Sequence, residues 1–208
     1  MKNIVDLNKE IVDTLNNIDL DDNSNNLLDN YIKNNNNSIE AAELVEEFNE
    51  IIADIANNPN VLALKNHAQH YSTTRYAHCK EVSFLTYLIC KKLNLDYISA
   101  ARGAMLHDFY FYNWRNKNVE GQKRFHAFRH PRISLANASE LFKLNDMEKD
   151  IILKHMWPLT VIPPKYTEGV IVTLVDKYSA TRGFFGGLRY IRKTKLLSEK
   201  NQAINERK

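Results

Sequence analysis

The chain has 208 residues, enough to bury one substantial core with a segment appended to it. It is 44% apolar and 25% charged, as a globular protein is, and no apolar run approaches the length that spans a bilayer. The formal charge of +3 hides an asymmetry: residues 1–60 carry 13 acidic and 3 basic side chains, whereas 61–208 carry 12 and 25, a net of +13. A basic main body suits an anionic substrate such as a phosphate ester and suits nucleic acid equally, so the sign alone selects neither.

Six Gly and five Pro leave long uninterrupted stretches, which favours helices over a turn-rich sheet. The opening MKNIVDLNKE is too polar for a signal peptide. Ile4, Val5, Leu7, Ile11, Val12 and Leu15 recur at helical spacing over 3–16. Thirteen Asn fall in the first fifty residues, and with the neighbouring Asp they favour turns and caps by competing for backbone hydrogen bonds. Ser38 is placed to cap a second helix bearing Val45, Phe48, Ile52 and Ile55, with a Glu-rich solvated face opposite. Residues 1–66 therefore read as an acidic helical segment that carries no chemistry and offers at most a docking surface.

Asn57, Asn58 and Pro59 break the chain before a short helix with His67 and His70 on one face, read most simply as packing or surface residues. Residues 73–93 then form a helix with the apolar stripe Val82, Leu85, Ile89 and Leu93. His78 lies on that stripe, and Arg75 sits one turn earlier, within reach of an anion. Cys79 and Cys90 share this helix roughly 16 Å apart along its axis, too far to pair. A reducing, cytoplasmic setting is the expectation that follows.

Asp96 is a plausible cap for the next helix, a run of small and apolar residues ending in Ala104-Met105-Leu106-His107-Asp108. A carboxylate beside an imidazole in a buried helix is costly unless paired. An Asp–His hydrogen bond would satisfy the dipeptide taken by itself. A metal ion would also do so, since it takes nitrogen and oxygen ligands together.

Phe109, Tyr110, Phe111, Tyr112 and Trp114 either line a pocket or pack, and 116–124 read as a polar loop. His126 and His130 follow, four residues apart. Pro131 suits the first turn of a new helix, which places His130 at that helix's start. Asp146 is placed to cap a helix holding Ile151, Ile152 and His155, stopped by Trp157-Pro158. Residues 168–181 form another apolar segment, with Asp176 beside Leu174 and Val175. The tail from Gly186, with Arg189, Arg192, Lys193 and Lys195, reads as a solvated basic helix.

His78, His107, Asp108, His130, His155 and Asp176 thus lie on or beside successive apolar elements. A core seldom hides four His and two Asp for packing alone, and their nitrogens and oxygens suit one or two octahedral ions. The pieces RYAHCKEV, AMLHDF and VTLVDKYSA, in this order, resemble the HD-domain metal-dependent phosphohydrolases over about residues 73–182. FRHPRISLA and IILKHMWP between them resemble the two extra histidines of the two-metal subgroups. Those subgroups include HD-GYP cyclic dinucleotide phosphodiesterases and YqeK-type diadenosine tetraphosphate hydrolases. Phe109, Tyr110 and Phe111 stand where HD-GYP enzymes carry a nearby Lys, and no GYP triplet follows His155.

The resemblance implies an all-α HD-domain helical bundle over 67–185, with the acidic segment 1–66 appended and a basic helix or tail over 186–208. It implies one ion held by His78, His107, Asp108 and Asp176. Asp108 would bridge to a second ion held by His130 and His155, with His126 competing for the place of His130. The ions would be divalent: iron, manganese, nickel or zinc. Asp108, Arg75 and Lys80 are the expected catalytic residues, and Arg75, Arg129 and Lys177 the expected anion-binding ones.

The activity so implied is hydrolysis of a phosphomonoester or phosphodiester of a small molecule, foremost a nucleotide, by metal-activated water, with no membrane partner. The alternative from another class is a non-catalytic metal-binding HD module that regulates or docks a partner through its acidic helices. Nucleic-acid binding by the basic body is weaker, since no aromatic-basic reader motif appears.

Overall fold

In the computed structural model the described residues are 27–34, 37–70, 73–112 and 126–182. The helix expected over 3–16, the loop over 116–124, Trp114, and the tail with Arg189, Arg192, Lys193 and Lys195 lie outside them. The described part is all-helical apart from one small hairpin.

The acidic segment supplies α1 (Leu27–Asn34) and α2 (Ser38–Ile51). The cap of α2 is Asn37 rather than Ser38: its side chain accepts from the Glu40 N–H, one residue upstream of the expected position. Ala41, Val45 and Phe48 turn inward while Glu40, Glu43, Glu46 and Glu50 stay exposed, the two-sided pattern of a helix lying on a core. Two single turns follow, α3 (Ala53–Ala56) and α4 (Pro59–Leu62), the latter capped by Asn58 with Pro59 at its first position.

A 3-10 turn (Ala63–Asn66) leads into β1 (Ala68–His70), which pairs antiparallel with β2 (Thr73–Thr74). The short helix expected around His67 and His70 is therefore a strand. The β-branched Thr pair supplies a strand partner, and the Arg75 N–H closes the hairpin on the His67 carbonyl at 2.7 Å.

Thr74 caps α5 (Arg75–Lys92). The sequence shows one apolar stripe on this helix, yet every residue from 81 to 90 is buried. Both faces are covered because α5 is the central element. Phe84, Tyr87 and Leu88 join Val45, Phe48, Ile52 and Ile55 of the acidic segment in one core. Val82, Leu85 and Ile89 join Ala100, Ala104, Ile171, Val172 and Val175 in another. A helix buried on all sides belongs at the centre of a bundle.

Asn94, in the left-handed region at φ 55°, ends α5, and the Leu95 N–H returns to the Cys90 carbonyl at 2.9 Å. Asp96 caps α6 (Tyr97–Leu106), as the sequence indicates, accepting from the Ser99 N–H and hydroxyl.

Helix α7 (His126–Leu141) contains Pro131 in its second turn instead of starting with it. The ring removes the N–H that would bond the Ala127 carbonyl, and the helix runs through it. Helix α8 (Asp146–Lys154) is capped by Asn145, which forms a reciprocal capping box with Glu148; the expected cap, Asp146, is the first helical residue. Gly103 lets α6 and α8 approach closely, for a Cβ there would stand 3.1 Å from Ile151. The last described helix, α9, spans 167–182. Among the described residues no helix is long and apolar enough to cross a membrane.

Candidate metal centre

Five helices contribute to one buried cluster. His78 stands in the first turn of α5, and Asp176 lies on α9. His107 is the C-terminal cap of α6 and Asp108 follows it, so the His-Asp pair occupies the turn leaving that helix, not its interior. His78 Nε2 lies 3.0 Å from Asp176 Oδ1, and His107 Nε2 lies 3.6 Å from the same oxygen. These three side chains make one group able to hold a metal ion.

Asp108, His130 near the start of α7, and His155 capping the end of α8 make a second such group. Asp108 Oδ1 is 3.1 Å from His130 Nε2 and 3.7 Å from His155 Nε2. The other oxygen, Oδ2, is 3.8 Å from His107 Nε2. The Asp108 carboxylate thus stands between the two groups, with one oxygen toward each.

The second ring nitrogens fix the tautomers. Nδ1 of His107, His130 and His155 lies 2.7, 3.0 and 2.9 Å from the carbonyls of Ala104, His126 and Ile152. A carbonyl only accepts, so each Nδ1 carries the hydrogen and each neutral ring turns an Nε2 lone pair inward. His130 Nε2 and His155 Nε2 then face each other at 2.8 Å. His107 Nε2 and Asp108 Oδ1 are buried and make no hydrogen bond among the described residues. Orphaned buried acceptors are rare, and here they converge on one space. A donor set of imidazole nitrogens and carboxylate oxygens with inward lone pairs fits a divalent transition metal ion.

The titration behaviour shows the same demand for positive charge. Burial opposes ionisation of Asp108, but the facing imidazoles of His107 and His130 hold it well below the usual carboxylate range. Burial likewise opposes Asp176, and the facing imidazoles of His107 and His78 hold it far below that range. Burial disfavours a charged His107, yet Asp108 and Asp176 together lift it to about 9, so with no cation beside it this ring takes a second proton on Nε2, the place a metal ion would hold. Burial, His107 and His130 push His155 down to about 3, keeping it in the neutral form that a metal requires.

Around the cluster lie the other residues that the sequence singles out. His126 stacks on His130 at 4.6 Å between centroids and shares a 2.8 Å hydrogen bond with the Tyr112 hydroxyl. Burial and His130 push it down to about 4. It adjoins the second group without belonging to it; the imidazole that meets Asp108 and His155 is His130.

Arg75 is 0% exposed. Its Nε donates to Gln69 Oε1 at 3.0 Å, Nη1 to the Tyr110 carbonyl at 2.6 Å and Nη2 to the Tyr112 carbonyl at 3.4 Å. Lys80 is lowered by burial and by Lys65, with Asp29 as its opposing charge, which places it toward the acidic segment and not toward the ligands. Lys177 Nζ donates to the Trp157 carbonyl at 2.7 Å. Arg129 is exposed on α7 and within electrostatic reach of Tyr112. His67 meets the Phe111 ring at 6.1 Å and belongs to neither group.

One participant carries no sequence signal. Gln69, buried on β1, donates from Nε2 to Asp108 Oδ2 at 2.5 Å. An amide in a three-residue strand matches no motif, and only its approach to Asp108 reveals it.

The family model described as HD domain matches residues 75–181. No curated protein and no solved structure matches the chain.

Proposed function

The chain belongs to the HD domain family, and from that premise we propose that it is a metal-dependent phosphohydrolase acting on a phosphomonoester or phosphodiester of a small molecule, foremost a nucleotide. One observation carries the reading: the inward Nε2 lone pairs of His107, His130 and His155 and the orphaned Asp108 Oδ1 share a buried space that asks for cations. His78, His107, Asp108 and Asp176 would hold one ion and Asp108, His130 and His155 a second. When bound, divalent ions supply the Lewis acidity that activates water and neutralises phosphoryl charge.

The chain's own residues do the rest. The Ala104, His126 and Ile152 carbonyls keep the hydrogen on Nδ1 of three rings, so each Nε2 is a preset ligand. Asp108 contributes one oxygen to each group and holds negative charge at their midpoint. Tyr112, half-buried with its ring 4.7 Å from that of the buried Tyr110, stands beside His126 and offers aromatic surface next to the cluster. Arg129 is the cation near that rim for the substrate's anion.

A second reading, a metal-binding module without turnover, draws support from the cations. The donors of Arg75 and Lys177 are engaged by groups of the chain, and Lys80 faces the acidic segment. A screen of nucleotide and small phosphoester substrates with manganese, iron, nickel or zinc separates the two. Turnover that Asp108→Asn abolishes while helicity is retained establishes the enzyme. Stoichiometric metal binding without turnover on any substrate class establishes the module.

A further inference from the structure

Gln69, whose amide meets Asp108, lies upstream of the residues matched by the HD domain family and serves no end in the proposed chemistry so far. Arg75 can only donate, so the Gln69 oxygen must be the atom that meets its Nε at 3.0 Å. The Gln69 amide nitrogen is thereby turned to Asp108 Oδ2, where it donates at 2.5 Å. Arg75 is in turn locked by the Tyr110 and Tyr112 carbonyls and by the Tyr110 ring, 3.7 Å from its guanidinium carbon. The hairpin that carries Gln69 is tied to α5 by the Arg75 N–H to His67 carbonyl bond.

The terminal torsion of an Asp side chain is broad and two-fold, so a support is needed to hold the plane of the carboxylate with one oxygen toward each group. The geometry points to Gln69 as a positioning residue: with Arg75 behind it, it clamps the Asp108 carboxylate so that Oδ1 serves His130 and His155 while Oδ2 serves the His107 side. Arg75 acts here through Gln69 and not on a substrate. The inference rests on the reading of the six side chains as metal ligands.

The test is Mn(II) binding to the full chain, followed by calorimetry and by the exchange-coupled resonance of two ions that share a carboxylate. Wild type is compared with Gln69→Met, Gln69→Asn and Asp108→Asn. Gln69→Asn keeps the amide one methylene short of bridging Arg75 and Asp108, so it serves where Gln69→Met does not fold. A folded Gln69 variant is expected to bind one equivalent within about threefold of wild type and the other at least about tenfold more weakly, with the coupled signal lost. A merely structural Gln69 would lower the melting temperature of the metal-free protein and leave both affinities and the coupled signal in place. That result, in a variant with wild-type helicity, overturns the positioning role alone, provided Asp108→Asn still impairs binding. Binding indifferent to Asp108→Asn, or absent in wild type, overturns the ligand reading and the positioning role with it.

Discussion

His130 Nε2 and His155 Nε2 lie 2.8 Å apart, each on a ring whose Nδ1 faces a backbone carbonyl. Two neutral imidazoles in that state oppose lone pairs, so the pair is stable only with positive charge beside it. His155→Ala removes one of the two and relieves the opposition. The expected result is loss of one metal equivalent, by at least about tenfold in Kd, with helicity unchanged. Calorimetric titration of the variant with Mn(II) checks this.

Metal removal should destabilise the fold, since the ligands come from five helices and a bound ion ties them together. A ligand present at 100 times its Kd stabilises by about 2.7 kcal/mol. For a domain of this size that corresponds to roughly 5–10 °C in melting temperature. Chelation should lower the transition by that amount, and restoring the ion should reverse it. An unchanged transition would mean that the cluster is neutralised by protons alone.

Arg102 joins α6 to three other elements, its Nη1 also donating to the Ile51 carbonyl of α2 at 3.1 Å. Its Nε donates to Glu148 at 2.9 Å, and its Nη1 and Nη2 donate to Asp54 at 2.6 and 2.9 Å. Glu148 is buried, so Arg102→Met leaves a carboxylate without its cation and should cost about 2 kcal/mol by chemical denaturation. The Asp54 side chain is more than half exposed, so solvent screens its share heavily. The Arg102 hydrogen bond lowers the Asp54 pKa. Its contribution is therefore present above the ordinary Asp value near 4 and is lost as pH falls below it. Arg102→Met should flatten that acid limb.

Gly103 faces Ile151 across the α6–α8 contact, where three Ile151 side-chain atoms would lie 3.1 Å from an added Cβ. Alanine gains about 1 kcal/mol in helix propensity. Overpacking a buried branched side chain costs about 1–3 kcal/mol. The net expectation for Gly103→Ala is a loss of about 1 kcal/mol. Because α6 ends on His107 and α8 on His155, metal affinity should fall as well, although no ligand is touched.

Much of the cluster is legible in the sequence because burying an ionisable group without a partner is costly. His78, His107, Asp108 and Asp176 stand out against apolar neighbours, and the structure brings all four together with His130 and His155. Its supports are not legible. The carbonyls that orient the rings belong to residues of any type, and Gln69 is an ordinary amide brought near by a hairpin that reads as a helix. Capping was displaced by single residues, from Ser38 to Asn37 and from Asp146 to Asn145, because either neighbour offers a suitable side chain. The burial of both faces of α5 is likewise invisible to a pattern that records only its most apolar stripe.

The most direct measurement is an anomalous difference map from crystals grown with manganese. The account predicts two peaks, one among His78, His107, Asp108 and Asp176 and one among Asp108, His130 and His155. A map flat at both places, or coordinates in which these side chains point into separate regions, would contradict it.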